Sequence, residues 1–469
     1  MSTENTLEQS SVKRHMLWLG PLLALLTYLL CRSQNMPDIA ALTAGIAILT
    51  IAWWVTEALP IPVTSILPFA LLPLFNVLTH KDVSAALGSH VILLLMGAFI
   101  LSKALEKSGV HRRLAILMVK LIGTSSQKRM VFGFMLATAI ISMWISNTAT
   151  VLIMLPIALA LLASVDDRRL KIALVLGIAY ASSVGGLGTL IGTPPNVIFA
   201  GIYEAQKGEE FSFVTWMMIG IPCVLIAIPI MSLWLTRNLS GPFQGHLPAQ
   251  GPWRAEEVRT LIVFSIAVLA WITRKAPFGG WSELFNIQFA GDSTVALTAV
   301  IIMFMIPNGK KGRLLDWDTA VSIPWGMLLL FAGGIALAKG FTASGLSEII
   351  GQGLSSFTAF PLVVTILLLC LCVTYLTEIT SNTATATLLM PILYLVAIQY
   401  GVDPAVLMIP AAMAASCAFM LPVATAPNAI AYGTNAIEIT DMIKEGAVLS
   451  FVISILVGII TYSLMLYVI

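Results

Sequence analysis

Of 469 residues, 58% are hydrophobic and only 10% are Asp, Glu, Lys or Arg, and the net charge is +2. A soluble domain usually has about a quarter of its residues charged. This chain cannot give itself a polar exterior, so lipid must be part of its solvent. A soluble protein is excluded, and the near-neutral charge points to no nucleic-acid partner.

The first fifteen residues are polar and end in Lys13-Arg14-His15, and an apolar run follows from Leu17 to Leu30. A basic start and a short apolar core also suit a signal peptide. No clear cleavage pattern follows, and apolar stretches continue to the last residue, so the run reads as a first span. A transmembrane helix needs about 20 apolar residues. Candidate spans are 16–31, 38–56, 61–78, 83–101, 172–203, 213–235, 258–273, 292–307, 323–340, 408–432 and 446–468. Two further apolar regions, 131–163 and 361–399, have polar centres.

With the N-terminus in the cytoplasm and eleven spans threaded, 19 Lys and Arg fall inside and 6 outside. That is the positive-inside bias. It holds only if 131–163 and 361–399 each enter and leave on one side. The basic stretch 102–130 is either an amphipathic helix at the inner surface or a cytoplasmic loop containing a helix. Glu204 to Glu210 reads as a short external loop. The organisation expected is a tail and first span (1–37), a first inverted repeat (38–237), a linker rich in Gly, Pro and Gln (238–257), and a second inverted repeat (258–469).

The repeat is visible in the residues. Ser146-Asn147-Thr148-Ala149-Thr150 recurs as Ser381-Asn382-Thr383-Ala384-Thr385, an offset of 235. Gly192-Thr193-Pro194-Pro195-Asn196 is echoed by Ala424-Thr425-Ala426-Pro427-Asn428, an offset of 232. Leu155-Pro156 finds Met390-Pro391, and Met96-Gly97-Ala98 finds Phe331-Ala332-Gly333. The landmarks keep their order and nearly their spacing. After the first span each half holds five spans and one polar-centred segment. An odd number of spans inverts the second half, a recurring plan among transporters with a binding site at the repeat interface.

The arms around Ser146-Asn147-Thr148 are too short for two complete crossings, so a re-entrant hairpin is expected, with a second one around Ser381-Asn382-Thr383. Such residues also serve in ordinary helix packing, but here each set is followed by a Pro-Asn turn. Pro194-Pro195 and Pro427 should break the spans that contain them. The glycine-rich string before Pro194 lacks the lysine of a phosphate loop. Together the tips and breaks offer hydroxyls, carbonyls and amide oxygens suited to sodium, while convergent helix N-termini suit an anion. No lysine or arginine lies close in sequence. An anionic cargo would therefore need co-bound cations. Glu57 and Glu378 lie in apolar surroundings; Glu57 reads as a surface residue near a turn and Glu378 as an anchor for the second hairpin. The five cysteines and five histidines show no metal-ligand spacing. No nucleophile, acid–base pair or soluble signalling domain supports an enzyme or a sensor.

These motifs resemble the divalent anion–sodium symporter family, which includes sodium-coupled di- and tricarboxylate transporters. The likeness runs from Trp53-Trp54-Val55-Thr56-Glu57 to Phe451 and includes Ser416-Cys417-Ala418-Phe419-Met420-Leu421-Pro422-Val423-Ala424-Thr425-Ala426-Pro427-Asn428. The resemblance implies an all-α integral membrane protein of about eleven transmembrane helices, with two inverted-topology repeats, each holding a re-entrant helical hairpin and a broken helix. It also implies a homodimer with elevator-like alternating access. A first sodium would use Ser142, Ser146, Asn147 and backbone near Gly192; a second would use Thr377, Thr380, Asn382 and backbone near Ala424. The substrate carboxylates would meet Asn147, Thr148, Thr193, Asn382, Thr383 and Thr425. Ala426 stands where relatives often have a second proline, and Ala431 where they often have valine. The expected activity is sodium-coupled import of C4-dicarboxylates (succinate, malate, fumarate) across a bacterial inner membrane. A sodium-independent exchanger and a citrate or sulfate transporter are the alternatives.

Overall fold

The computed structural model describes residues 3–162, 167–243, 250–275, 279–353 and 360–468. Residues 244–249 of the expected linker, with His246, lie outside that set. Regular structure among the described residues is helical, apart from two isolated bridges, Ser126–Pro242 and Pro307–Arg313.

Helices α1 (Thr3–Ser33) and α2 (Asp38–Thr56) pack antiparallel. Trp53 Nε1 donates to Met16 O at 2.9 Å, and Gly45 lies so close to Ala24 O that a Cβ would sit 3.0 Å from it. The outer face of α1 is bare, with Trp18 at 82% exposure, as a lipid-facing helix should be. Glu57 ends α2 in a left-handed conformation and pairs with Lys13 at 3.0 Å, so it is the surface residue expected.

Two expected spans are broken. Residues 61–78 contain α3 (Ile61–Thr64) and α4 (Leu67–Leu74), separated at Ser65-Ile66, with Pro62 and Pro68 in the first turns of the two helices. Residues 83–101 fall on α5 (His80–Leu87) and α6 (His90–Ser108), separated by Gly88-Ser89, with Ser89 capping α6. Because α6 runs to Ser108, the amphipathic helix shrinks to α7 (Val110–Ile122). Its face of Val110, His111, Ala115, Ile116 and Val119 is buried, while Arg112 and Lys120 are exposed.

Next come α8 (Gln127–Ser142), α9 (Asn147–Leu162), α10 (Arg168–Gly185), α11 (Pro194–Lys207) and α12 (Phe213–Leu235). Glu204 to Lys207 complete α11 rather than forming a loop. Lys207 then ties that end to Asp403 at 2.7 Å, and Arg274 holds Glu210 at 2.7 Å. Helices α13 (Ala255–Ile272), α14 (Gly280–Leu284), α15 (Asp292–Met305), α16 (Trp317–Val321), α17 (Trp325–Ala343) and α18 (Leu346–Gly353) follow. The chain ends with α19 (Leu362–Thr377), α20 (Asn382–Gln399), α21 (Ala405–Ala414), α22 (Ala426–Gly433) and α23 (Ile439–Val468).

Helices α8, α9 and α19 have 16 residues each, about 24 Å of helix at 1.5 Å per residue, short of a bilayer core of about 30 Å. At 18 residues, α20 is longer than expected for a hairpin arm. The packing repeats itself. α8 lies against α10 and α12, and α19 lies against α21 and α23. Glycine permits the closest approaches. A Cβ on Gly220 of α12 would sit 2.3 Å from Leu187 O, and one on Gly446 of α23 would sit 2.2 Å from Phe419 O. In both places a long helix presses on the break in its neighbour. Tyr180 and Phe419 meet between the two breaks, ring centroids 4.9 Å apart.

Candidate functional site

The helix breaks are built by repeated sequence and repeated contacts. α10 gives way to a short 3-10 turn at Gly186–Gly188, and α11 starts only at Pro194. Prolines at the first helical positions cost no hydrogen bond there, since those N–H groups have no intrahelical partner. Asn196 stitches the break: its Nδ2 donates to Gly186 O (2.9 Å) and Thr189 O (2.8 Å). Asn428 does the same in the second half, donating to Ala418 O and Leu421 O, both at 3.1 Å. The partners lie ten and seven residues upstream in both cases. Asn196 Oδ1 and Asn428 Oδ1 are both buried without a hydrogen-bond partner among the described residues.

The hairpin tips also match. Thr377 Oγ1 donates to Asn382 Oδ1 at 2.6 Å. Ser142 Oγ lies 2.7 Å from the Asn147 amide. The inward atom of that amide also faces Ser182 O at 3.1 Å and Gly192 O at 3.3 Å, so with nitrogen there Asn147 donates to three oxygens. Asn147 thus joins the first tip to the first break.

Glu378 is 3% exposed and sits at the second tip. Its Oε1 accepts from Phe419 N (2.7 Å), Met420 N (3.0 Å) and Ser450 Oγ (3.0 Å). Its Oε2 accepts from Met420 N (3.0 Å) and Leu421 N (3.2 Å). It therefore anchors the second hairpin to the second break, and supplies acceptors for backbone that has left its helix. In the first half Met143 occupies the corresponding place, and its carbonyl accepts from Thr189 Oγ1.

Tips and breaks face one cavity of about 450 Å³. Helices α9, α11, α20 and α22 all begin at it, through Ser146-Asn147-Thr148, Thr193-Pro194, Ser381-Asn382-Thr383 and Thr425-Ala426. Ser146 Oγ caps α9 by accepting from Ala149 N at 3.2 Å. Thr425 Oγ1 caps α22 by accepting from Asn428 N at 3.2 Å. Each helix N-terminus carries roughly half a positive charge, so four of them favour an anion between them.

Of the residues expected from sequence, Ser146, Asn147, Thr148, Gly192, Thr193, Asn382, Thr383, Ala424 and Thr425 line the cavity. Ser142 and Thr377 are fully buried behind the two asparagines. Thr380 is turned away: its hydroxyl pairs with Thr385 Oγ1 at 2.7 Å and donates to Leu376 O at 2.9 Å. Three residues of the site were not expected from sequence. Ser416 Oγ lies 3.3 Å from Thr193 Oγ1 and links the two halves. Lys103 and Glu106 also line the cavity, paired at 2.7 Å. The site lacks a basic residue nearby in sequence, but α6 brings one in space, neutralised by its own neighbour. A shallow crevice shares Lys103, Glu106 and Ser322 with the cavity and continues to Lys107, Asp318 and Thr319. Beside it Lys107 pairs with Asp316; that bond, with those from the Thr319 hydroxyl and amide, holds the Asp316 carboxyl well below the usual carboxylate range.

The family described as citrate transporter (CitMHS) matches residues 51–405. The sodium-dependent dicarboxylate transporter SdcS of Staphylococcus saprophyticus is 41% identical over 95% of this chain and 90% of that protein. Its counterpart in Staphylococcus aureus MRSA252 is 40% identical over the same shares. The chain belongs to the divalent anion–sodium symporter family. It is a bacterial multi-pass membrane transporter and not an enzyme. Solved structures share the fold. The Alcanivorax borkumensis YdaH transporter superposes with a TM-score of 0.59 at 13% identity, covering 84% of this chain and 88% of that one. Neisseria gonorrhoeae MtrF gives 0.62 at 14% identity, covering 88% and 96%.

Proposed function

We propose that this transporter couples sodium to the import of C4-dicarboxylates such as succinate, malate and fumarate. The observation that carries the reading is one cavity onto which four helix N-termini and two Ser-Asn-Thr tips converge, with its lysine already paired to a glutamate. A dicarboxylate brings about two negative charges into a poorly solvated space. Helix ends offset part of that cost and co-bound cations the rest.

The first sodium is assigned to Ser142, Ser146, Asn147 and the Gly192 carbonyl. If the Asn147 amide turns its oxygen inward, it faces three oxygens, Ser142 Oγ, Ser182 O and Gly192 O, within 3.3 Å of its position. In that orientation the Ser142 hydroxyl still donates to the amide oxygen, and a cation would take the place of the amide hydrogens that otherwise serve the two carbonyls. The second sodium is assigned to Thr377, Asn382 and backbone near Ala424. Thr380 joins that set only if its hydroxyl leaves Thr385. The carboxylates are assigned to Asn147, Thr148, Thr193, Asn382, Thr383 and Thr425.

In this reading residues 38–237 and 258–469 are inverted repeats. The protein works as a homodimer in the bacterial inner membrane, with its N-terminus in the cytoplasm. The part holding the tips and breaks moves as an elevator against the rest. The crevice that continues past Lys107 then marks a state open to the cytoplasm. The names of the Staphylococcus relatives support sodium and dicarboxylate; the citrate description of the matching family favours a tricarboxylate competitor.

Radiolabelled succinate uptake into proteoliposomes tests these readings together. Saturable uptake driven by an inward sodium gradient, resisted by malate and fumarate and poorly by citrate, is the expected result. Uptake that ignores sodium and requires internal dicarboxylate would make the protein an exchanger instead.

A further inference from the structure

We infer that Lys103 is a substrate-positioning residue for the second carboxylate of the cargo, masked by Glu106 when the cavity is empty. The inference rests on the anion-transport reading above. Lys103 and Glu106 lie three residues apart on α6, far in sequence from the Ser-Asn-Thr tips, and line the same cavity. Their side chains are 30% and 23% exposed and meet at 2.7 Å. One turn on, Lys107 is committed to Asp316 and does not line the cavity. Among the described residues, Lys103 is the basic side chain that lines it.

A surface pair at this spacing is worth only a few tenths of a kcal/mol and often does nothing more than decorate a helix. The setting here is different. A partly buried ammonium attracts a carboxylate more strongly than one in bulk water does. Left bare, it would also repel the cations that the site needs. Glu106 cancels that repulsion in the empty cavity. When a dicarboxylate arrives, one carboxylate is held by helix ends and asparagine amides. The other offers Lys103 a partner equivalent to Glu106, so the ammonium exchanges one charge-assisted hydrogen bond for another at little cost. A monocarboxylate of the same length gains nothing from the exchange. Lys103 therefore contributes to the preference for two carboxylates over one.

The test uses the full chain in proteoliposomes, with succinate and butyrate as probes. Lys103→Gln should raise the succinate KM about tenfold, equivalent to about 1.4 kcal/mol, with a much smaller fall in maximal rate and no change in butyrate inhibition. Lys103→Arg should recover most of the loss. Glu106→Gln should act in the opposite sense: a succinate KM lowered several-fold, and a higher sodium concentration for half-maximal uptake, because the ammonium is unmasked. An unchanged succinate KM in Lys103→Gln overturns the inference. So does a Glu106→Gln protein that weakens succinate as Lys103→Gln does, the behaviour of a pair that only braces α6. If the wild type takes no dicarboxylate, the functional reading fails. The inference then falls too unless Lys103→Gln weakens, by a similar factor, whichever anion of a tested panel is carried.

Discussion

Alanine at Asn147 or Asn382 should lower sodium-driven succinate uptake about a hundredfold, and should blunt its sodium dependence as well. The estimate follows from hydrogen bonds to charged groups, worth about 1.5–3 kcal/mol each. Both effects should appear because each amide is shared. Asn147 lines the cavity, yet it also faces Ser142 Oγ, Ser182 O and Gly192 O behind it. Asn382 lines the cavity and accepts from Thr377. Truncation removes a contact to the cargo and at once unties the tip from the oxygens assigned to the ion. Substrate KM and sodium activation should therefore shift together, where a residue serving only one would shift them apart. Single-turnover uptake in proteoliposomes, with size-exclusion profiles as a check on folding, gives the measurement. Normal uptake and normal sodium dependence in both variants would show the site to be elsewhere.

Glu378→Ala should be the most destabilising single change in the transmembrane region. The carboxylate accepts from three consecutive backbone N–H groups and from Ser450, all around the break between α21 and α22. Alanine leaves these buried donors without acceptors, and each one left unsatisfied costs about 1–3 kcal/mol. Glu378→Gln keeps one carbonyl oxygen and should lose less. Thermal unfolding of detergent-purified protein would rank them wild type, Gln, Ala. An alanine variant that melts with the wild type would mean that water takes over the donors and that the carboxylate is no anchor.

Much of this architecture could be read from the chain because its unusual parts occur twice. Asn147 and Asn382 sit in identical pentapeptides, and prolines mark the breaks at 194, 195 and 427. Paired motifs at nearly constant offset point to paired structures. What stayed hidden depends on distance in space. Lys103 is far in sequence from the Ser-Asn-Thr and Pro-Asn segments and reaches the cavity because α6 forms part of its wall. Asn196 and Asn428 were visible as part of proline turns, but their side chains turned back ten and seven residues cannot be inferred from spacing alone. Thr380 suited an ion site by residue type, and Thr385 claims its hydroxyl instead. The breaks at Ser65-Ile66 and Gly88-Ser89 lay inside stretches apolar enough to pass as continuous spans. Hydropathy averages over a window and does not register a single turn.

The two halves differ at one consequential point. Between tip and break the second half uses the carboxylate of Glu378, whereas the first uses neutral groups: the Thr189 hydroxyl on the Met143 carbonyl and the Asn147 amide on Gly192 O. With cations at both assigned positions, the second feels a formal negative charge that the first lacks, and coulombic attraction at membrane depth is little screened. Two such ions would then be bound unequally, the one beside Glu378 more tightly. Sodium titrations of uptake should resolve two midpoints, and these should draw together in Glu378→Gln.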